Sequence, residues 1–329
     1  MILSLSMNPR RRKAPIAALA SLSLVAACGD DQAGDGSEES PSLVLATTSI
    51  WADVMNELTC DGEAGVAVEA LMPPGVDPHQ YEPSLQDRER LEGAGIVVAN
   101  GAGLEAGADP LLESVDDDVL VTITELPGLA LLEGSHEEEE EQEDHDDEGV
   151  DPHVWLDPTI VVASIDPLTD AVVGNAETDE GVDADAIIEC ADEYRQELEA
   201  LDSEITDAIG TLPEDRRVLV TNHDAYGYFA QRYGFEIVGT VIPSTSTQAE
   251  TNAADLADLA ATIERHDVPA IFVDAGQTAA EAENLARSVD VEVVHLATDS
   301  LGGDSDDGVD SYVELMRSIS AAVGDALDG

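Results

Sequence analysis

Asp183-Ala184-Asp185-Ala186-Ile187-Ile188-Glu189-Cys190-Ala191-Asp192-Glu193-Tyr194-Arg195-Gln196-Glu197-Leu198-Glu199-Ala200-Leu201-Asp202-Ser203-Glu204-Ile205-Thr206-Asp207-Ala208-Ile209-Gly210 is the stretch on which the architecture turns. Ile187, Ala191, Tyr194, Leu198, Leu201, Ile205 and Ala208 recur in alternating four- and three-residue steps, which lines them along one face of a helix. Asp183 can cap its start and Gly210 can stop it. At about 1.5 Å per residue such a helix is on the order of 40 Å long, enough to cross from one lobe to another. A single rigid connector limits how far a cleft between those lobes can open.

On either side of this helix the chain alternates short β-branched runs with longer amphipathic segments. Strands are expected at 43–47, 66–71, 96–100 and 119–123 before it, and at 218–221, 237–241, 270–274 and 291–296 after it. Helices are expected at 49–58, 85–93, 225–233, 252–266 and 278–289. The alternation predicts an α/β fold: two lobes of mostly parallel sheet with flanking helices, joined by one long helix. The expected division is an N-terminal lobe over 42–182, a connecting helix over 183–210 and a C-terminal lobe over 211–329. A chain of 329 residues accommodates two ordinary domains, and a hydrophobic fraction of 43% is enough for two real cores.

The first 28 residues stand outside that fold. Arg10-Arg11-Arg12-Lys13, an apolar run over 16–27 and small residues after it have the order of a secretory signal, and the run is too short for a comfortable membrane span. Its end, Val25-Ala26-Ala27-Cys28-Gly29, resembles the lipobox of bacterial lipoproteins, which implies lipidation of Cys28 and attachment to the membrane through that lipid. Residues 29–41 read as a disordered tether. Removing the signal leaves nine arginines and no lysine against 72 acidic residues. So negative a surface repels nucleic acid and anionic lipid and favours cations, although most of the charge is accounted for by solubility in salty surroundings. Cys60 and Cys190 could pair in an exported protein, but their spacing does not show that they meet.

One tripeptide is used twice: Asp77-Pro78-His79, within Pro73-Pro74-Gly75-Val76-Asp77-Pro78-His79-Gln80-Tyr81-Glu82-Pro83, and Asp151-Pro152-His153, within Asp151-Pro152-His153-Val154-Trp155-Leu156-Asp157-Pro158. Proline stiffens the loop under each histidine, so little orientational freedom is lost when the ring binds an ion. Asp77, Asp151, Asp157 and Asp224 are candidates to hold imidazoles through the second ring nitrogen. A lone Asp-Pro-His would be read as a surface turn; two copies around a His- and acid-rich segment favour a site. That segment, an acidic loop over 133–149, includes His136 and His145 and could gather divalent cations weakly. His223 follows a strand in Asn222-His223-Asp224-Ala225-Tyr226-Gly227-Tyr228-Phe229, and Asp299 follows the last one in Thr298-Asp299-Ser300-Leu301-Gly302. In open α/β sheets that edge binds ligands. His79, His153, His223 and Asp299 together offer three imidazoles and one carboxylate, the closed four-ligand set of a binding site rather than the open one of catalytic zinc.

These stretches resemble the metal-binding receptor lipoproteins of bacterial ABC importers for zinc and manganese, over essentially the whole mature chain. The resemblance implies that His79, His153, His223 and Asp299 occupy the family's four ligand positions in a cleft between the lobes. It also implies a monomer on the outer face of the membrane, or in the periplasm, that hands its ion to an ABC permease driven by a cytoplasmic ATPase. Zn2+ is favoured over Mn2+, because manganese receptors commonly carry glutamate where His223 stands. The acidic loop departs from the histidine-rich loop frequent in zinc-binding members. Such a receptor is not an enzyme; the competing readings are a metal-dependent hydrolase using Asp157 or Asp224 as base, and a surface adhesion protein with a structural metal.

Overall fold

The computed structural model describes residues 42–134, 149–176, 181–274, 279–302 and 309–328. Cys28, the signal and the tether lie outside them, as do His136 and His145. The two ends of the acidic loop are described: Glu133 and Val150 form an antiparallel bridge, and the Gly134 N–H donates to Gly149 O at 2.8 Å.

All eight expected strands form. The first sheet comprises β1 (Ser42–Ala46), β2 (Val66–Ala70), β3 (Ile96–Ala99) and β4 (Leu120–Thr122) in the order β2-β1-β3-β4. The second comprises β5 (Val218–Thr221), β6 (Glu236–Thr240), β7 (Ala270–Asp274) and β8 (Glu292–Leu296) in the order β6-β5-β7-β8. Every pairing is parallel. Parallel sheets are covered on both faces, which is why β3 and β7 are apolar and buried along almost their whole length.

The helices are α1 (Ser49–Leu58), α2 (Leu85–Gly93), the short α3 (Asp109–Leu112), α4 (Pro158–Ala176), α5 (Ala184–Ile209), α6 (Gly227–Tyr233), α7 (Ala253–His266), α8 (Ala280–Val289) and α9 (Tyr312–Asp328). In α5 Asp183 caps the start, its carboxylate accepting from the Ala186 N–H at 3.1 Å, and the buried face runs Ile187, Ala191, Tyr194, Leu198, Leu201, Ile205. The last step differs from the heptad reading: Ile209 is buried and Ala208 is exposed. A 3.6-residue helix lags a seven-residue repeat by about 20° per heptad, so after three heptads the next residue has rotated onto the face. Gly210 closes the helix with φ −56°, without the left-handed turn that glycine usually supplies.

The sequence gives no helical signal over α4, which is rich in β-branched residues and carries Pro167 in its interior. Burial overrides propensity there: Ile160, Val161, Ile165, Leu168 and Val172 are all at most 4% exposed. The helix lies along α5. The C-terminal helix α9 packs on β8, α5 and α1, burying Leu315, Met316, Ile319 and Val323. One apolar cluster therefore runs from Val44 and Trp51 through Leu198 to Phe229 and Leu296, so the lobes share a core and their relative movement is restricted. Cys60 and Cys190 form a disulfide that ties the turn after α1 to α5.

Where α1, α5 and α9 meet, Asp53 is pressed among other acids. Burial, then Asp61, Glu314 and Glu197, push its carboxyl up to about 6, while the Tyr312 N–H donates to it at 2.8 Å and opposes the shift. A carboxyl raised in the folded state destabilises that state once both folded and unfolded forms are ionised. Asp53→Asn keeps an acceptor for Tyr312 and removes the charge. We expect it to raise the thermal midpoint at pH 7, with the gain shrinking as pH falls through about 6 and gone near the unfolded value of 3.8, as thermal melts across that range would show.

Candidate metal site

All four candidate ligands lie beyond carboxyl ends of strands: His79 after β2, His153 between β4 and α4, His223 after β5 and Asp299 after β8. The structure brings them together. One ligand atom from each can be chosen so that all four lie within 4.8 Å of one another, and all four residues are at most 2% exposed. His153 Nε2 is 3.4 Å from His79 Nε2 and 3.2 Å from His223 Nε2, and His223 Nε2 is 3.6 Å from Asp299 Oδ2. A tetrahedron of 2.0–2.1 Å bonds has edges of about 3.3 Å, so these three separations are those of ligands around one small ion.

Each group is aimed by its neighbours. Asp151 Oδ1 accepts from the His153 N–H at 3.0 Å and lies 2.7 Å from His153 Nδ1, which places the ring proton on Nδ1 and leaves the Nε2 lone pair facing the other imidazoles. The loop beneath is fixed from both lobes. Asn100 Nδ2 donates to Pro152 O at 2.9 Å, and Tyr228 Oη donates to Asp151 O at 2.9 Å while accepting from the Leu132 N–H at 3.0 Å. Gly227 is required by proximity: a Cβ there would stand 2.7 Å from Asp151 Oδ2. Thr221 Oγ1 donates to His223 O at 2.7 Å, orienting the second ligand at its backbone. Asp274 Oδ2 accepts from the N–H groups of Thr298 at 2.8 Å and Asp299 at 3.2 Å, holding the carboxylate ligand's turn.

Of the four proposed supporting aspartates only Asp151 is placed on an imidazole by these contacts. Asp77 accepts the backbone N–H of His79 at 2.9 Å and so fixes its turn, not its ring. Asp157 starts α4, accepting from the N–H and hydroxyl of Thr159 at 2.8 and 2.7 Å, and approaches Arg232 at 3.9 Å. Asp224 sets its N–H on Ser244 O at 2.9 Å. For Asp77 and Asp157 the local turn claims the aspartate, because an Asx-type bond two residues on is nearer than a ring. The sequence reading missed Asn100, Tyr228 and Asp274; the position of Asp274 at the carboxyl end of β7 was the one signal for it. His266 in the last turn of α7 and His295 in β8 are exposed and take no part.

Burial, then the neighbouring His153, lowers His79 to about 3, and burial, then His153 and His79, holds His223 well below the usual imidazole range. Both rings are neutral at ordinary pH, so a cation would displace no proton from them.

Residues 44–326 match the family described as Zinc-uptake complex component A periplasmic, ZnuA. The chain belongs to that family. Among curated relatives of this family member, it is 28% identical over 295 residues to the "Manganese-binding lipoprotein MntA" of Halalkalibacterium halodurans, covering 89% of this chain and 91% of that one. It is 30% identical over 260 residues to the "Zinc-binding protein TroA" of Treponema pallidum, covering 78% and 77% respectively. The solved structure of the periplasmic zinc-binding protein TroA from Treponema pallidum superposes with a TM-score of 0.74 at 28% identity, over 87% of this chain and 99% of that chain. The two-lobe architecture is therefore that of a solute-binding protein.

Proposed function

We propose that this protein is the extracytoplasmic receptor of an ABC importer, which captures a divalent transition-metal ion as cargo through His79, His153, His223 and Asp299. The observation that carries the reading is the convergence of three imidazole nitrogens and one carboxylate, all buried and within 4.8 Å of one another, with three of their separations close to the edge of a four-coordinate site. Four protein ligands favour holding an ion over activating a water on it. Zinc is favoured over manganese, because three nitrogens and one oxygen suit an ion content with four ligands, whereas manganese suits oxygen-rich shells. Relatives named as lipoproteins, together with the sequence ending at Cys28, support a lipid anchor outside the cytoplasmic membrane and partnership with a permease and its ATPase. Among the described residues no helix is long and apolar enough to cross a membrane.

Deleting this chain in its native cell should abolish radiolabelled zinc uptake at low external zinc, with growth restored by excess zinc. Unchanged uptake in the deletion strain would overturn the receptor assignment.

A further inference from the structure

The turn carrying His79 is hydrogen-bonded across the cleft by two residues outside the candidate ligand set. From the loop after β6, Thr247 Oγ1 donates to Asp77 Oδ2 at 2.8 Å, and Gln248 Nε2 donates to the carbonyl of His79 itself. Asp77 is already committed to the turn: Oδ1 accepts the His79 N–H at 2.9 Å and Oδ2 the Gln80 side chain at 2.8 Å. The same loop is built on the other ligand side, since Ser244 O accepts the Asp224 N–H at 2.9 Å, next to His223. It therefore links the His223 turn to the His79 turn.

The other ligands are secured differently. His153 is held through Asp151 and Tyr228, both at most 4% exposed, and the adjacent Trp155 donates across the lobes to Thr298 O at 2.9 Å. Asp299 is held by Asp274, whose residue is 9% exposed. Gln248, by contrast, is exposed and Thr247 half-buried. Both of their bonds to the His79 turn are only part-buried, and hydrogen bonds within reach of water open at less net cost than fully buried ones.

We infer that Thr247 and Gln248 are positioning residues that latch His79 in its ligand position, and that their opening sets the rate at which bound metal leaves. The inference rests on the metal-receptor reading above. A groove of roughly 380 Å³, bordered by Gln80, Asn222, Ile242 and Thr247, lies beside the latch and gives the side chains room to part.

The test is stopped-flow release of zinc from the purified full chain into excess chromogenic chelator, with association measured separately. Gln248→Ala and Thr247→Val should each speed release about three- to tenfold, with the association rate and the metal-free thermal midpoint unchanged. Thr247→Ser, which keeps the donor, should release at the wild-type rate. If both disrupting variants release no faster than wild type, or if their lost affinity comes from slower association, the latch is refuted. A wild type that takes up no zinc gives no release signal at all, and would overturn the receptor reading together with the latch.

Discussion

We expect His223→Ala to lower zinc affinity by more than about 100-fold. Loss of an outer partner of a metal ligand typically costs 10–100-fold, and loss of the ligand itself must exceed that. His223 Nε2 stands 3.2 Å from His153 Nε2 and 3.6 Å from Asp299 Oδ2, so its removal takes away one of four converging ligand atoms and leaves only three. The metal-free variant should still fold, because an imidazole kept neutral by burial contributes no ion pair to lose. Circular dichroism of the metal-free protein separates a missing ligand from a missing fold. His223→Glu keeps a ligand but makes it oxygen, and should narrow the preference for zinc over manganese. Calorimetric titration of the three proteins with each metal reads both effects. A His223→Ala variant with wild-type affinity would remove His223 from the ligand set.

The second large effect concerns stability. Opening the Cys60–Cys190 disulfide, by reduction or by paired serine substitution, should lower the free energy of unfolding by about 3–5 kcal/mol. The bond closes a loop of 130 residues, and in the chain-entropy account so long a loop restricts the unfolded chain strongly. Cys60 sits in a turn with three successive left-handed residues, Cys60, Asp61 and Gly62 at φ 56°, 52° and 83°, the first two of which bear side chains that disfavour it. Release from α5 removes the anchor that holds this turn. Denaturant unfolding of oxidised and reduced protein measures the difference. A change below about 1 kcal/mol would mean that the shared core already pins both ends.

Much of the fold was legible because its signals are local. The eight strands are short apolar runs closed by turns, α1 and α2 start on Thr48 and Ser84 caps, and α5 shows its face through seven apolar positions. What stayed hidden depends on tertiary context. No local rule announces a 19-residue helix with Pro167 inside, because its stability comes from the buried face against α5. The disulfide joins residues 130 apart in sequence, and spacing alone carries no information about whether two such cysteines meet.

The candidate site shows the same divide. Its four ligand candidates were legible, because each stands after a strand end or on an Asp-Pro turn. Their supports were not: Asn100, Tyr228 and Asp274 reach the ligand loops only through the fold, by bonds to Pro152 O, Asp151 O and the Asp299 N–H. Asp77 and Asp157 misled for a related reason, since the motif that makes an aspartate look like a ring partner is equally an Asx turn.

The claim that this chain is a zinc-favouring receptor is tested most directly by equilibrating the purified, metal-stripped protein with equimolar zinc and manganese and counting the metal retained. We expect one zinc ion per chain and little manganese, with much less zinc retained by His223→Ala. Manganese held against equimolar zinc would contradict the assignment of the metal, and a wild type that retained neither ion would contradict the site itself.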